Sequence, residues 1–256
     1  MRRLVLIALL LAPLSVVAAP CKFEAPRHLQ LDLSGVRAVQ IDVHSHDLHL
    51  IGSDSSKGLS LDGRACASAQ AALDGLQVTQ RRDGDRLLID LGGNNHFSFS
   101  LFGSSYANLE VTVQLPANLP VTVSVGSGDA DVRGVQQLQS LVGSGDLHVH
   151  SVGGKFGASV GSGDIDATDI GSLDLGSVGS GDFKADGIKG DARIGSIGSG
   201  DAVLRRVGGS VRADTLGSGD LTVSDVSGDF TLGAKGSGDV SHTGVSGKVS
   251  VPHDDD

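Results

Sequence analysis

The tetrapeptide Gly-Ser-Gly-Asp occurs seven times in this chain, ending at Asp129, Asp146, Asp164, Asp182, Asp201, Asp220 and Asp239. Successive copies lie 17, 18, 18, 19, 19 and 19 residues apart. So even a spacing marks a repeat architecture, in which each unit is too small to bury an apolar face alone and stacks on its neighbours. Apolar residues follow each aspartate at the first, third and sixth places. The first column is Ala130, Leu147, Ile165, Phe183, Ala202, Leu221 and Val240. The third is Val132, Val149, Ala167, Ala185, Leu204, Val223 and His242, and the sixth is Val135, Val152, Ile170, Ile188, Val207, Val226 and Val245. Alternation over the first three places is the period of a strand.

A second turn follows, at Gly153-Gly154, Lys189-Gly190, Gly208-Gly209 or Ser227-Gly228. A second strand comes next, such as Val211-Arg212-Ala213 or Phe230-Thr231-Leu232. Helices are excluded, because no 3.6-residue apolar period exists and 29 of the 38 glycines fall between Val121 and Asp256. The expected fold is all-β: a β-solenoid over residues 120–252, with two strands and two turns in each coil of 17–19 residues. Its glycines are expected to form the corners by taking positive φ without a Cβ clash. Lys235 and His242 interrupt core columns near the end, and Pro252 with the acidic tail 253–256 is expected to stop further stacking.

Residues 19–119 carry strand patterns without the repeat, at Val39–Val43, Leu87–Leu91 and Leu109–Leu115. Asp83-Gly84 reads as a hairpin turn between Gln77–Arg81 and Leu87–Leu91. Ser68–Leu73 has room for a turn or two of helix. The region is expected to be a β-rich cap, or irregular opening coils, shielding the first regular coil.

Residues 1–18 read as an export signal. Arg2 and Arg3 precede an apolar run from Leu4 to Val17, and small residues follow. The run is too short to span a bilayer comfortably. Removing the two arginines takes the formal net charge from −10 to −12. The remaining basic residues are scattered, which argues against nucleic acid and anionic lipid as partners. Cys21 and Cys66 are the two cysteines, and an even count in an oxidising compartment favours a disulfide between them.

The run Val111-Thr112-Val113-Gln114-Leu115-Pro116, then Val121-Thr122-Val123, then the repeated Ser-Gly-Asp turns, resembles the bacterial putative-adhesin family of unknown function. It is also similar to the head domain of putative autotransporter adhesins. The two strands expected around Ser45-His46-Asp47 fit the same pattern. The resemblance implies a β-solenoid and an exported location. It carries over no catalytic residue and no cofactor.

Several side-chain groups stand out as candidate sites. Seven repeat aspartates stacked at one corner would repel each other. Each is expected to bond backbone N–H groups of its own turn, with calcium held between coils as the alternative. Phe97, Phe99, Phe102 and Tyr106 hold four of the eight aromatics, either as a hairpin packed on the cap or as an exposed contact patch. Asp42, His44 and His46 are expected on one strand face, and Asp131, His148 and Asp166 on stacked coils; polar decoration is the commoner role for such groups, and a metal ion the rarer one. Gly157-Ala158-Ser159-Val160-Gly161 matches a serine-hydrolase elbow in letters, but it lies in a strand running into a repeat turn, where that elbow cannot form. The functional expectation is an exported, non-enzymatic envelope or adhesive protein with an unidentified envelope or extracellular partner. The alternative is a carbohydrate-active β-helix that cleaves polysaccharide with acids on one face.

Overall fold

Alternating apolar residues and closely spaced turns force short strands, and a computed structural model of the chain shows how they stack; it describes residues 21–92 and 106–252. The N-terminal part contains β1 (Phe23–Leu31), β2 (Ala38–His44), β3 (Asp47–Ser53), β4 (Leu59–Ala67), the short helix α1 (Gln70–Gly75), β5 (Val78–Asp83), β6 (Arg86–Leu91) and β7 (Ala107–Pro116). The repeat region begins with β8 (Val121–Val125), β9 (Asp129–Arg133) and β10 (Leu138–Val142). Two long strands, β11 (Asp146–Val160) and β12 (Asp164–Val178), each bend from one side of the rod to the other. Then come β13 (Phe183–Ile188), β14 (Ala192–Ile197), β15 (Ala202–Val207), β16 (Val211–Leu216), β17 (Leu221–Val226), β18 (Phe230–Lys235), β19 (Val240–Val245) and β20 (Val249–Ser250).

Hydrogen-bonded pairing sorts the strands into two faces. The first face runs β1, β4, β7, β3, β9, the front of β11, the front of β12, β13, β15, β17, β19. The second runs β5, β6, β2, β8, β10, the back of β11, the back of β12, β14, β16, β18, β20. Pairing is parallel except at the N-terminal end, where β4, β1 and β5 run antiparallel to their neighbours. Inward side chains from both faces form one apolar cluster. The predicted columns are in register: Ala130, Leu147, Ile165, Phe183, Ala202, Leu221 and Val240 stack on successive strands. Large and small residues complement each other along the rod; Phe183 is flanked in its column by Ile165 and Ala202 and stacks on Phe156 at 6.4 Å between ring centroids.

Sequence order and stacking order differ at one place. The coil made by β2 and β3 lies between the one made by β6 and β7 and the one made by β8 and β9. The chain therefore leaves the stack after β3, builds β4, α1 and β5 over the end, returns one coil farther out, and crosses back to β8. This gives the cap its form. The hairpin between β5 and β6 turns through Gly84 at φ 60°. The outermost strand β1 carries Pro26, which removes a donor from the exposed edge. Cys21 and Cys66 are joined as a disulfide and tie that edge strand to β4.

The corners hold a correction to the expected role of glycine. No glycine of the seven Gly-Ser-Gly-Asp copies has φ in the left-handed region. Their requirement is closeness. A Cβ on the second glycine, at Gly145, Gly163, Gly181, Gly200, Gly219 or Gly238, would lie 1.8–1.9 Å from the carbonyl oxygen of the equivalent glycine one coil below. The left-handed corner falls instead at the fifth place of each unit. Gly134, Ser151, Asp169, Gly187, Arg206, Asp225 and Gly244 have φ between 53° and 82°. This column bends every coil, whereas the expected turn at Gly153-Gly154 lies inside the continuous strand β11.

In the five corners that hold Ser144, Ser162, Ser180, Ser199 and Ser218, the serine and second-glycine amides donate to the first-glycine carbonyl of the coil below. Ser180 and Gly181, for example, donate to Gly161 O at 2.7 and 3.1 Å. Serine side chains at these corners point outward and are exposed, while the second glycines are buried. Gly200→Ala is therefore expected to cost at least about 3 kcal/mol, since backbone on both sides must move, and Ser199→Ala within about 0.5 kcal/mol of nothing. Urea denaturation midpoints of the two variants check this difference.

Candidate functional site

The repeat aspartates occupy a column beside the corner, outward and mostly exposed. Four of the carboxylates, those of Asp129, Asp164, Asp201 and Asp220, bond a backbone N–H group, and it belongs to the next coil rather than to their own turn. Asp146 N donates to Asp129 Oδ1 at 3.3 Å, Asp182 N to Asp164 Oδ1 at 3.0 Å, Asp220 N to Asp201 Oδ1 at 2.9 Å and Asp239 N to Asp220 Oδ1 at 3.1 Å. A second ladder of this kind runs along another edge, where Asp191 Oδ1 accepts from Ser210 N, Ser210 Oγ from Asp229 N, and Asp229 Oδ1 from Lys248 N. A charged acceptor on a backbone donor makes a stronger hydrogen bond than a neutral one, and this offsets part of the repulsion along the column. Among the described residues, no group of three or more His, Cys, Asp or Glu side chains is arranged to hold a metal ion.

The outward positions of the first face carry a mixed column in register: His49, Asp131, His148, Asp166 and Lys184. Asp131, His148 and Asp166 thus stack as the sequence implied, with His148 Nδ1 3.9 Å from Asp166 Oδ2. Asp131 is engaged by the Arg133 guanidinium, whose hydrogen bonds hold its carboxyl below the usual range. His150 Nδ1 lies 2.8 Å from Thr168 Oγ1.

Asp42, His44 and His46 do not share a face. His44 is exposed, with φ 56° and its Nε2 2.9 Å from Asp90 Oδ2, while His46 is buried to 1% exposure. The segment His44-Ser45-His46-Asp47 is in fact a corner of the stack, directly below Gly126-Ser127-Gly128-Asp129. His44 O accepts N–H groups from Gly126, Ser127 and Gly128, and Asp129 N donates to His46 O. His46 stands where each later coil has the second glycine. Among the described residues neither of its ring nitrogens has a hydrogen-bond partner. Burial pushes the His46 imidazole below its ordinary value, helped by His44 and opposed by Asp47 and Asp90. The Ser-x-Asp spacing shared with the later corners was the signal that could have placed His46 in this column.

Of the aromatic group, Tyr106 is 44% exposed, and its hydroxyl accepts the Lys22 N–H at 3.1 Å. Phe97, Phe99 and Phe102 lie outside the described residues. The elbow-like run Gly157–Gly161 is strand β11 leading into a corner, with no helix after it.

The model of the Toastrack DUF4097 family matches residues 36–256, from the β2–β3 coil through every Gly-Ser-Gly-Asp corner. The chain belongs to that family. Two solved structures share the Toastrack fold with it. A putative adhesin from Parabacteroides merdae ATCC 43184 is 16% identical with a TM-score of 0.56, over 90% of this chain and 93% of that one. A putative lipid binding protein from Parabacteroides distasonis ATCC 8503 is 16% identical with a TM-score of 0.51, over 90% of this chain and 98% of that one. At this identity the likeness shows the fold alone. No curated protein matches the sequence.

The buried His46 is expected to lower the stability of this Toastrack chain in acid. Its pKa is lower folded than unfolded, so the unfolded state binds the extra proton first. The stability it contributes is complete above the unfolded value of about 6.5 and is lost as pH falls through and below it. His46→Leu is expected to flatten the fall in unfolding free energy between about pH 7 and pH 5 relative to the parent chain. Paired denaturation curves across that range measure it.

Proposed function

We propose that this Toastrack protein is exported, with residues 1–18 as its signal peptide, and acts as a non-enzymatic module that meets an envelope or extracellular partner along the side of its solenoid. The observation that carries this reading is the register of outward side chains. Parallel pairing repeats each outward position on strand after strand, so His49, Asp131, His148, Asp166 and Lys184 form a continuous row along one face. The backbone below is locked by hydrogen bonds between coils. Such a face is a rigid surface that extended partners can follow, in the way long concave surfaces serve other solenoids.

The disulfide fits an oxidising compartment. Among the described residues, no helix is long and apolar enough to cross a membrane. The most regular acids engage backbone N–H groups between coils, a structural task that leaves them poorly placed as an acid–base pair. The names given to the two similar structures, a putative adhesin and a putative lipid binding protein, are both binding roles.

The experiment is direct. Chain beginning at residue 19 is immobilised and exposed to fractionated bacterial envelope, and is separately incubated with polyuronates and neutral glycans. Saturable retention of one fraction is expected, reduced by His148→Ala with Asp166→Ala, with no release of new reducing ends or unsaturated products. Turnover of any glycan would establish the polysaccharide-cleaving alternative in its place.

A further inference from the structure

Beside the corner on the second face, one outward column reads Asp90, Asp42, Ser124, Leu141 and Ser159 on successive strands. It continues as Ser177, Ser196 and Thr215. Leu141 breaks a run of hydroxyl side chains and is 50% exposed, the most exposed large apolar residue described. A lone surface leucine needs no explanation, but this one forms a wall of a cleft of about 320 Å³ lined by Asp42, His44, Ser124, Gly126, Leu141 and Gly143, with Val125 and Val142 beneath. The cleft is shallow and open to solvent rather than enclosed. Gly126 and Gly143 leave the floor as bare backbone, and the carbonyl of one lies 2.8 Å from where a Cβ of the other would be.

The charge at the other end of the cleft is incompletely matched. Asp42 and Asp90 are direct neighbours in register, an unfavourable pair of like charges. Asp90 has the His44 imidazole at 2.9 Å. Asp42 has the neutral Gln40 amide, at 3.2 and 3.4 Å from its two oxygens. Among the described residues no Lys, Arg or His forms an ion pair with Asp42. The cleft therefore offers the Asp42 carboxylate at one end, with Asp90 next to it in register just outside the lining, a glycine floor, and an exposed leucine two strands from Asp42, about 9–10 Å along the rod.

We propose that this cleft binds a primary ammonium group carried on a short apolar chain. The ammonium sits against Asp42 and Asp90, where it relieves their repulsion, and the chain lies across Gly126 and Gly143 onto Leu141. An anion is repelled by the same carboxylates. Among the described residues no phenylalanine, tyrosine or tryptophan ring lines the cleft to stack a sugar. A bare metal ion leaves Leu141 without a role. The site is separate from the row of residues on the first face, so its test does not depend on the envelope reading.

The test is a titration of the isotopically labelled chain, residues 19–256, with hexylammonium at neutral pH, read by amide NMR shifts. Saturable shifts confined to Ser124, Gly126, Leu141, Gly143 and their neighbours are expected. Asp42→Asn and Leu141→Ser should each weaken binding about tenfold or more, a loss of about 1.4 kcal/mol. Hexanol and hexanoate, tested on the unaltered chain, should bind at least about tenfold more weakly, which keeps the test independent of any folding defect in the variants. Shifts that do not saturate, equal binding of hexanol or hexanoate, or unchanged affinity in either folded variant would overturn the assignment.

Discussion

Two backbones meet at each Gly-Ser-Gly-Asp corner at a distance that leaves no room for a side chain. The second glycine of every copy lies against the carbonyl of its counterpart below, within reach of a Cα–H···O contact. This closeness lets the serine and glycine amides of one coil reach the first-glycine carbonyl of the previous coil, and lets the aspartate amide reach the previous carboxylate. Corner backbone groups in an ordinary loop turn to water. Here they pair between coils, so the polar accounting is met within the stack itself. Strand register, apolar columns and the continuous rows of outward side chains all follow from coils held at this spacing.

The same constraint explains what the molecule presents to its surroundings. A corner that tolerates no Cβ at one position exposes a serine on one side of it and an aspartate on the other, coil after coil. The faces between corners repeat the same outward positions because their strands pair in parallel register. The outward positions differ between the two faces: a histidine and aspartate row on the first, and a leucine among hydroxyls on the second. The N-terminal end is treated differently. Antiparallel strands, Pro26 and the Cys21–Cys66 disulfide cover it, and the buried His46 replaces glycine in the corner below Gly126-Ser127-Gly128-Asp129.

The repeat period and the three apolar columns were legible from the chain alone, because spacing and alternation translate directly into stacked strands. Ala130 to Val240 is one column in sequence and in space. Less legible was why the corner glycines are glycines. Composition cannot separate a need for positive φ from a need for closeness, and the left-handed column hid because it contains Ser151, Asp169, Arg206 and Asp225 as well as glycine. The placement of the β2–β3 coil between later coils was invisible, since nothing local in sequence encodes a crossover. His46 was read as part of a polar strand face because strand alternation was carried through a corner, where it fails. The carboxylate ladder was half legible: bonding to backbone N–H groups was expected of aspartate, but which coil supplied them depends on the stack.

Native-state amide hydrogen exchange tests the corner directly. The amides of Ser144, Ser162, Ser180 and Ser199 belong to residues with exposed side chains, yet each donates to a carbonyl in the coil below at 2.7–2.8 Å. They should exchange as slowly as core strand amides such as those of Val149 and Ala167, opening only with the stack as a whole. Exchange at the rate of a free surface loop, with the strands still protected, would contradict the account.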